Sequence, residues 1–303
     1  MARRTITIAS FIISSLLVIG CSRDNEKRAP DSNSKIAALE FLKILPSADS
    51  FEFSNASIMF SDEDLRPYAV PSTQDWQRSD MAEVLGRIGG RLEDVLQAHS
   101  VVEVSTRRLK SNAVIIQLSD EVIRRLKNDV DKTNFDIRNL ANIEVFTTRV
   151  PLAKALGKMS YALIADKLIS GDLETVDEIV RAFSGSYTGP ITYDNEKIKS
   201  IWEQLPDGFS MTVAVGNEHS YVWSLPAISY GESTMKINKK YAEEVFIANF
   251  STAEEASSAI KKIENNIRSF GNTTQRDISV RNARLSKNMV IVRIRIALSD
   301  VTF

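Results

Sequence analysis

The sequence predicts an α+β fold, with helices packed on mainly antiparallel sheets in two α/β-sandwich domains. Three observations carry this. Apolar residues recur at helical spacing in some stretches, as at Ala256, Ile260, Ile263 and Ile267. In others they alternate, as at Val290, Val292, Ile294 and Ile296, with Arg293 and Arg295 between them. A strand with one wet face is the mark of an antiparallel sheet. Finally, Pro206-Asp207-Gly208 interrupts both patterns and divides the body into a larger unit over 36–205 and a smaller one over 206–303.

Taken in order, Ile36, Leu39, Phe41, Leu42 and Leu45 predict a short helix that stops at Pro46. Phe51, Phe53, Ile58 and Phe60 predict strand structure over 50–60, interrupted near Asn55. Residues 61–79, with Pro67 and Pro71, read as an acidic loop carrying Asp62, Glu63, Asp64 and Trp76. Met81, Val84, Leu85, Ile88, Leu92, Val95 and Leu96 fall on one face of a helix, with Asp80 and Glu83 as its capping box. Gly89-Gly90 inside it marks close packing or a break.

The period then shortens. Strands are expected at 101–105 and 112–118, followed by a helix that Ser119 caps. Strands at 143–148 and 161–169 come next, then a helix capped by Asp172 with Leu173, Val176, Ile179, Val180 and Phe183 inward. A short strand at 191–193 closes the series. From Asn112 the order is strand, helix, strand, strand, helix, strand, the ferredoxin-like βαββαβ pattern. Ile198, Ile201, Trp202 and Leu205 give one more helical face. Past the turn, 209–215 and 221–225 flank Gly216-Asn217-Glu218 as a hairpin, and 245–250 is a strand. Ser251 with Glu254 caps the last helix, and strands over 278–285 and 289–298 end the chain. The step from strand through a Ser or Asp cap into a helix recurs at Ser119, Asp172 and Ser251. It reads as a common exit from a strand, not a duplication, because side chains beyond the cap do not repeat.

The first twenty-one residues carry an address. Arg3 and Arg4 precede an apolar run from Ile6 to Leu17, which Val18-Ile19-Gly20-Cys21 closes. A charged start, an apolar run too short for a comfortable span, and a small residue before the cut make a cleavable signal peptide. The ending resembles the lipobox of bacterial lipoproteins. That resemblance implies cleavage between Gly20 and Cys21 and a diacylglycerol on the Cys21 thiol, with a further acyl chain on the new N-terminus. Two or more chains give a stable anchor where one gives marginal binding. Cys21 is the only cysteine, so no disulfide is expected. Ser22 after it resembles the pattern sorted to an outer membrane, where the cell has one. Residues 21–35 are a polar tether, too hydrophilic to bury anything. Apart from the anchor, the body resembles only uncharacterised bacterial lipoproteins.

Composition narrows the function classes. The net charge is −1, and losing Arg3 and Arg4 takes the mature chain to −3. With no basic stripe, nucleic acid has no electrostatic footprint. His99 and His219 are the two histidines, with no HExxH, paired-histidine or CxxC spacing for zinc, so no metal or cofactor is expected. Asp129-Val130-Asp131 begins like a calcium loop. Asn134 stands where its glycine belongs and Leu140 where its bidentate glutamate belongs. No GxSxG is present. Ser32 to Lys35 and Ser233 to Lys236 match SxxK, the first inside the tether and the second without companion motifs. Gly86, Gly89 and Gly90 lie in a helix with no GK[ST] after them, so there is no phosphate loop. His219 beside Tyr221-Val222-Trp223 reads as a hairpin histidine next to a core aromatic. Trp202 reads as core, and Trp76 as a contact residue.

These observations lead to an expectation: a lipid-anchored, extracytoplasmic lipoprotein of the cell envelope, non-catalytic, that serves as a binding or assembly module. Its partners are the membrane, through Cys21, and a protein or small ligand that the sequence does not specify. The alternatives are a solute-binding lipoprotein of a transporter and a carboxylate-dependent envelope hydrolase. The hydrolase needs two acidic side chains meeting in a pocket, one with a raised pKa.

Overall fold

The computed structural model describes residues 33–72, 80–106, 111–150 and 158–301. The signal segment, Cys21, most of the tether and Trp76 lie outside them, as does the first SxxK serine, Ser32.

Helix α1 (Ser34–Leu42) leads into strand β1 (Ser50–Ser54). Asn55 then turns the chain by capping α2 (Ala56–Ser61), its side-chain oxygen accepting from the Ile58 amide at 3.1 Å. The apolar run at 50–60 is therefore a strand and a helix, not one interrupted strand. Short helices α3 (Arg66–Ala69), α4 (Asp80–Gly86) and α5 (Leu92–Val95) follow. The helix expected over 80–96 breaks between α4 and α5, where Gly89 takes φ +76°. Next come β2 (Ser100–Thr106), β3 (Ser111–Gln117) and α6 (Asp120–Asp129), the last capped by Ser119.

Strands β4 (Phe135–Leu140), β5 (Ile143–Thr148), β6 (Ser160–Ile164) and β7 (Lys167–Gly171) form a meander. The single strand expected at 161–169 is a hairpin, turned at Ala165 with φ +48°. Helices α7 (Leu173–Phe183) and α8 (Glu196–Gln204) bracket a 3-10 turn at Thr192–Asp194, where a strand was expected. The chain ends with β8 (Ser210–Val215), β9 (Ser229–Lys236), β10 (Tyr241–Asn249), α9 (Ala253–Thr274), β11 (Ile278–Ser286) and β12 (Met289–Ala297). The α9 cap is shifted one residue from the expected pair: Thr252 and Glu255 form the box. Residues 221–225 form a 3-10 turn and loop, so the partner of β8 is β9, which the sequence reading missed.

The twelve strands of the described residues join one sheet in the order β11-β12-β10-β9-β8-β1-β2-β3-β7-β6-β5-β4, and every neighbouring pair is antiparallel. The α+β class is as expected. The finer expectation of two sheets, one of them ferredoxin-like, is corrected. β1 pairs with β8 across the turn at Pro206–Gly208, and β3 and β7 are joined by a meander in place of a second crossover helix. The physical reason is that β1 is flanked on both sides by strands distant in sequence, a pairing that no local pattern records.

The connectivity repeats about that central pair. In the first half α1 and β1 lead to the β2–β3 hairpin, then α6, then a meander that brings β7 back against β3. In the second, α8 and β8 lead to the β9–β10 hairpin, then α9, then a hairpin that brings β12 back against β10. The capped exits at Ser119 and Thr252 are thus the same step in two halves, whereas Asp172 opens the link between them.

Packing divides the two faces. Phe51, Phe53, Val102, Ile115, Met211 and Val213 point to one face and form a continuous core with α1, α7 and α8. The other face carries two separate cores. One lies under α9, with Phe246, Val290, Val292 and Ile294; the other lies under α4 to α6, with Val114, Ile116, Phe146 and Tyr161. Twelve strands at about 4.8 Å spacing span roughly 50 Å, far wider than one helix of about 10 Å diameter covers. The strip between the two cores is where the sheet turns polar.

Candidate functional site

Strands β2, β1, β8 and β9 cross that strip side by side. Their register sets Glu103 opposite Glu52, Glu52 opposite Thr212, and Thr212 opposite Glu232. Because residues on one rung share a face, all four project between the two helical cores. Glu103 and Glu232 stand at matching places about the central Glu52–Thr212 pair, their Cα atoms roughly 14 Å apart at ordinary strand spacing. Adjacent rungs add Ser50 and Ser105, whose hydroxyls lie 2.5 Å apart, and Ser54, Ser210, Thr234 and Glu244.

Like charges directly opposite in a sheet repel, and burial strengthens the effect. Glu103 is 6% exposed and Glu52 half-buried. Burial pushes the Glu52 carboxyl up to about 8, with Glu103 and Glu232 adding to it, so it is mostly protonated at neutral pH. It makes no hydrogen bond or ion pair among the described residues.

Glu232 behaves oppositely. Burial raises its pKa, but the His219 imidazole and the Thr212 hydroxyl outweigh burial and hold it below the ordinary value. The His219 Nε2 lies 3.3 Å from a Glu232 oxygen, while its Nδ1 accepts from the Tyr221 amide at 3.2 Å. That acceptor role assigns the proton to Nε2, which donates to Glu232. The ring is wedged between Tyr221, Tyr230 and Phe246, with centroids 4.6, 5.2 and 5.1 Å away. On β10, Glu244 is 8% exposed, and its Oε1 has no hydrogen-bond partner among the described residues. Burial and then Glu232 push its carboxyl well up, with Arg276 opposing.

Other residues singled out in the sequence fall elsewhere. Lys236 is held by Asp62 at 2.7 Å and Asp64 at 2.5 Å, so the acidic loop is a clamp on one lysine. Ser233 is fully buried on the opposite face of β9, as an odd spacing within a strand requires, so SxxK is not assembled. Asp131 caps a 3-10 turn by accepting from Thr133 and Asn134, and Leu140 lies in β4, which removes the calcium loop. Among the described residues, no group of three or more His, Cys, Asp or Glu is placed to hold a metal ion. Trp202 is core, edge-on to Phe51. His219 joins the strip, but Trp223, 67% exposed on its loop, does not.

The sequence reading did not single out Glu52, Glu103, Glu232 or Glu244. Its only signal was a carboxylate between apolar residues, as in Phe51-Glu52-Phe53 and Val102-Glu103-Val104. That pattern reads as the wet face of an edge strand, and only the pairing places it at the sheet centre.

No family model matches the chain, and neither does any curated protein. Solved structures do. Crystal form I of TP0453 aligns at a TM-score of 0.50 with 8% identity, over 85% of this chain and 92% of that one. Crystal form III aligns at 0.48 with 8% identity, over 87% and 96%. The likeness is one of fold alone.

Proposed function

We propose that the protein is a lipid-anchored lipoprotein of the bacterial cell envelope whose body is a non-catalytic binding or assembly module on the extracytoplasmic side. The anchor rests on the sole cysteine, Cys21, at the end of the apolar segment. What supports a binding body is the state of its reactive groups. Lys236 is clamped by two aspartates, Ser233 faces the opposite core, and both nitrogens of His219 are engaged. The transporter reading calls for two doubly wound lobes with parallel crossovers, and the antiparallel sheet weighs against it. Intact mass of membrane-extracted protein tests the anchor. Wild type should lack residues 1–20 and carry acyl chains, and Cys21→Ala should carry none. A full-length, unmodified wild-type mass would refute the anchor.

One observation favours a second reading. Glu52 and Glu103 face each other with one pKa raised, the arrangement a carboxylate-dependent hydrolase needs. Turnover of an envelope glycan or peptide, abolished by Glu52→Gln and by Glu103→Gln, would establish it and overturn the non-catalytic reading.

A further inference from the structure

We propose that the carboxylate strip about the Glu52–Thr212 pair binds an organic cation, a primary ammonium or guanidinium group, laid across strands β2, β1, β8 and β9. The inference deepens the binding-module reading but does not depend on the lipid anchor. Two observations carry it. First, Glu103, Glu52 and Glu232 share one rung, and Glu244 adjoins Glu232 from β10. Second, Glu244 is buried with Oε1 unpartnered, while the half-buried Glu52 carboxyl makes no hydrogen bond or ion pair among the described residues. Acceptors left this way at the floor of a strip are completed by a donor from outside.

The donors already nearby are committed elsewhere or to single partners. His219 donates to Glu232, Lys236 is held by Asp62 and Asp64, and Arg276 stands over the Phe270 ring while offsetting Glu244. The carboxylates also lie in a row and do not converge on a point, a spacing that suits an extended organic cation better than a metal ion.

The test is isothermal titration calorimetry on the full-length protein in detergent at pH 7.5, run in two buffers of different ionisation enthalpy. Three probes are titrated: spermidine, an acetylated and amidated lysine tripeptide, and magnesium chloride. The expected result is saturable binding of at least one organic cation with release of part of a proton, since binding favours ionised Glu52. Glu52→Gln should weaken binding at least tenfold and abolish the proton release. Glu232→Gln should weaken it similarly, and Asp131→Asn, an exposed carboxylate change off the strip, should leave it unchanged. Circular dichroism and melting of each variant establish that it folds. Tighter binding of spermidine points to a free small cation, and tighter binding of the tripeptide to a basic segment of a partner protein. The proposal is overturned if neither organic cation saturates, if Glu52→Gln binds as wild type does, or if magnesium binds the same strip more tightly. None of these outcomes bears on the mass of the anchor or on turnover, so each reading fails separately.

Discussion

Replacing Glu52 with glutamine should stabilise the protein in a pH-dependent way. The Glu52 carboxyl goes from an ordinary value of 4.5 in the unfolded chain to about 8 in the fold. The fold therefore holds this proton more tightly than the unfolded chain does. Between those two values the unfolded chain ionises and the folded one does not, so rising pH costs stability by about 1.4 kcal/mol per pH unit. Below the window both states are protonated and nothing is lost; above it the loss is constant. Integrated, the loss is about 1 kcal/mol at pH 5 and about 3 kcal/mol at pH 7. Glutamine does not titrate, and burying its amide without partners costs about 1 kcal/mol at every pH. Glu52→Gln should therefore be near neutral at pH 5 and about 2 kcal/mol more stable than wild type at pH 7. Urea denaturation of both proteins at the two pH values measures this, with the midpoint rising at pH 7 only. A stability difference that is the same at pH 5 and pH 7 would refute the reasoning, because it would mean that Glu52 is ionised in the fold like any surface carboxylate.

Three further substitutions probe the frame around the strip and beyond it. Lys236→Met leaves Asp62 and Asp64 facing each other without their cation and should cost about 1–2 kcal/mol at neutral pH. Although burial raises the Asp62 pKa, the hydrogen bonds from Lys236 and from backbone amides outweigh it and hold it low. Its contribution is present above the unfolded value of 3.8 and is lost as pH falls through the folded one. The gap between Lys236→Met and wild type should accordingly close below about pH 4 in denaturation curves, whereas a gap that persists there would point to lost packing. Gly231→Ala places a methyl group against Ile201 of α8 and 2.9 Å from the Thr212 carbonyl. It should cost at least about 2 kcal/mol by calorimetric melting. Gly86→Ala, with nothing within 4 Å of the new carbon, should be neutral or gain up to about 1 kcal/mol.

The sequence alone determined what is written locally. Alternation at Val290 to Ile296 and helical spacing at Ala256 to Ile267 specify β12 and α9, because each pattern matches the period of a single element with one buried face. Ser119 announces α6 through a side-chain bond to its own next turn. The N-terminal segment is likewise a local signal, so the expectation at Cys21 needs no fold. Strand β9 shows where local reading stops. Ser229 to Lys236 looks like a loop because glycine, serine and glutamate interrupt it. Yet Gly231 is small so that α8 can pack against it, and Glu232 faces a strip that exists only when β8 is its neighbour. The same holds for Glu52, which lies about 160 residues from Thr212 and about 50 from Glu103 along the chain and meets both only through strand pairing. Tertiary structure decided that two halves join into one sheet, and that its centre gathers carboxylates no spacing rule connects. Pairing partners, and the burial that raises the Glu52 pKa, are properties of contacts far apart in sequence, and a single chain read in order does not contain them.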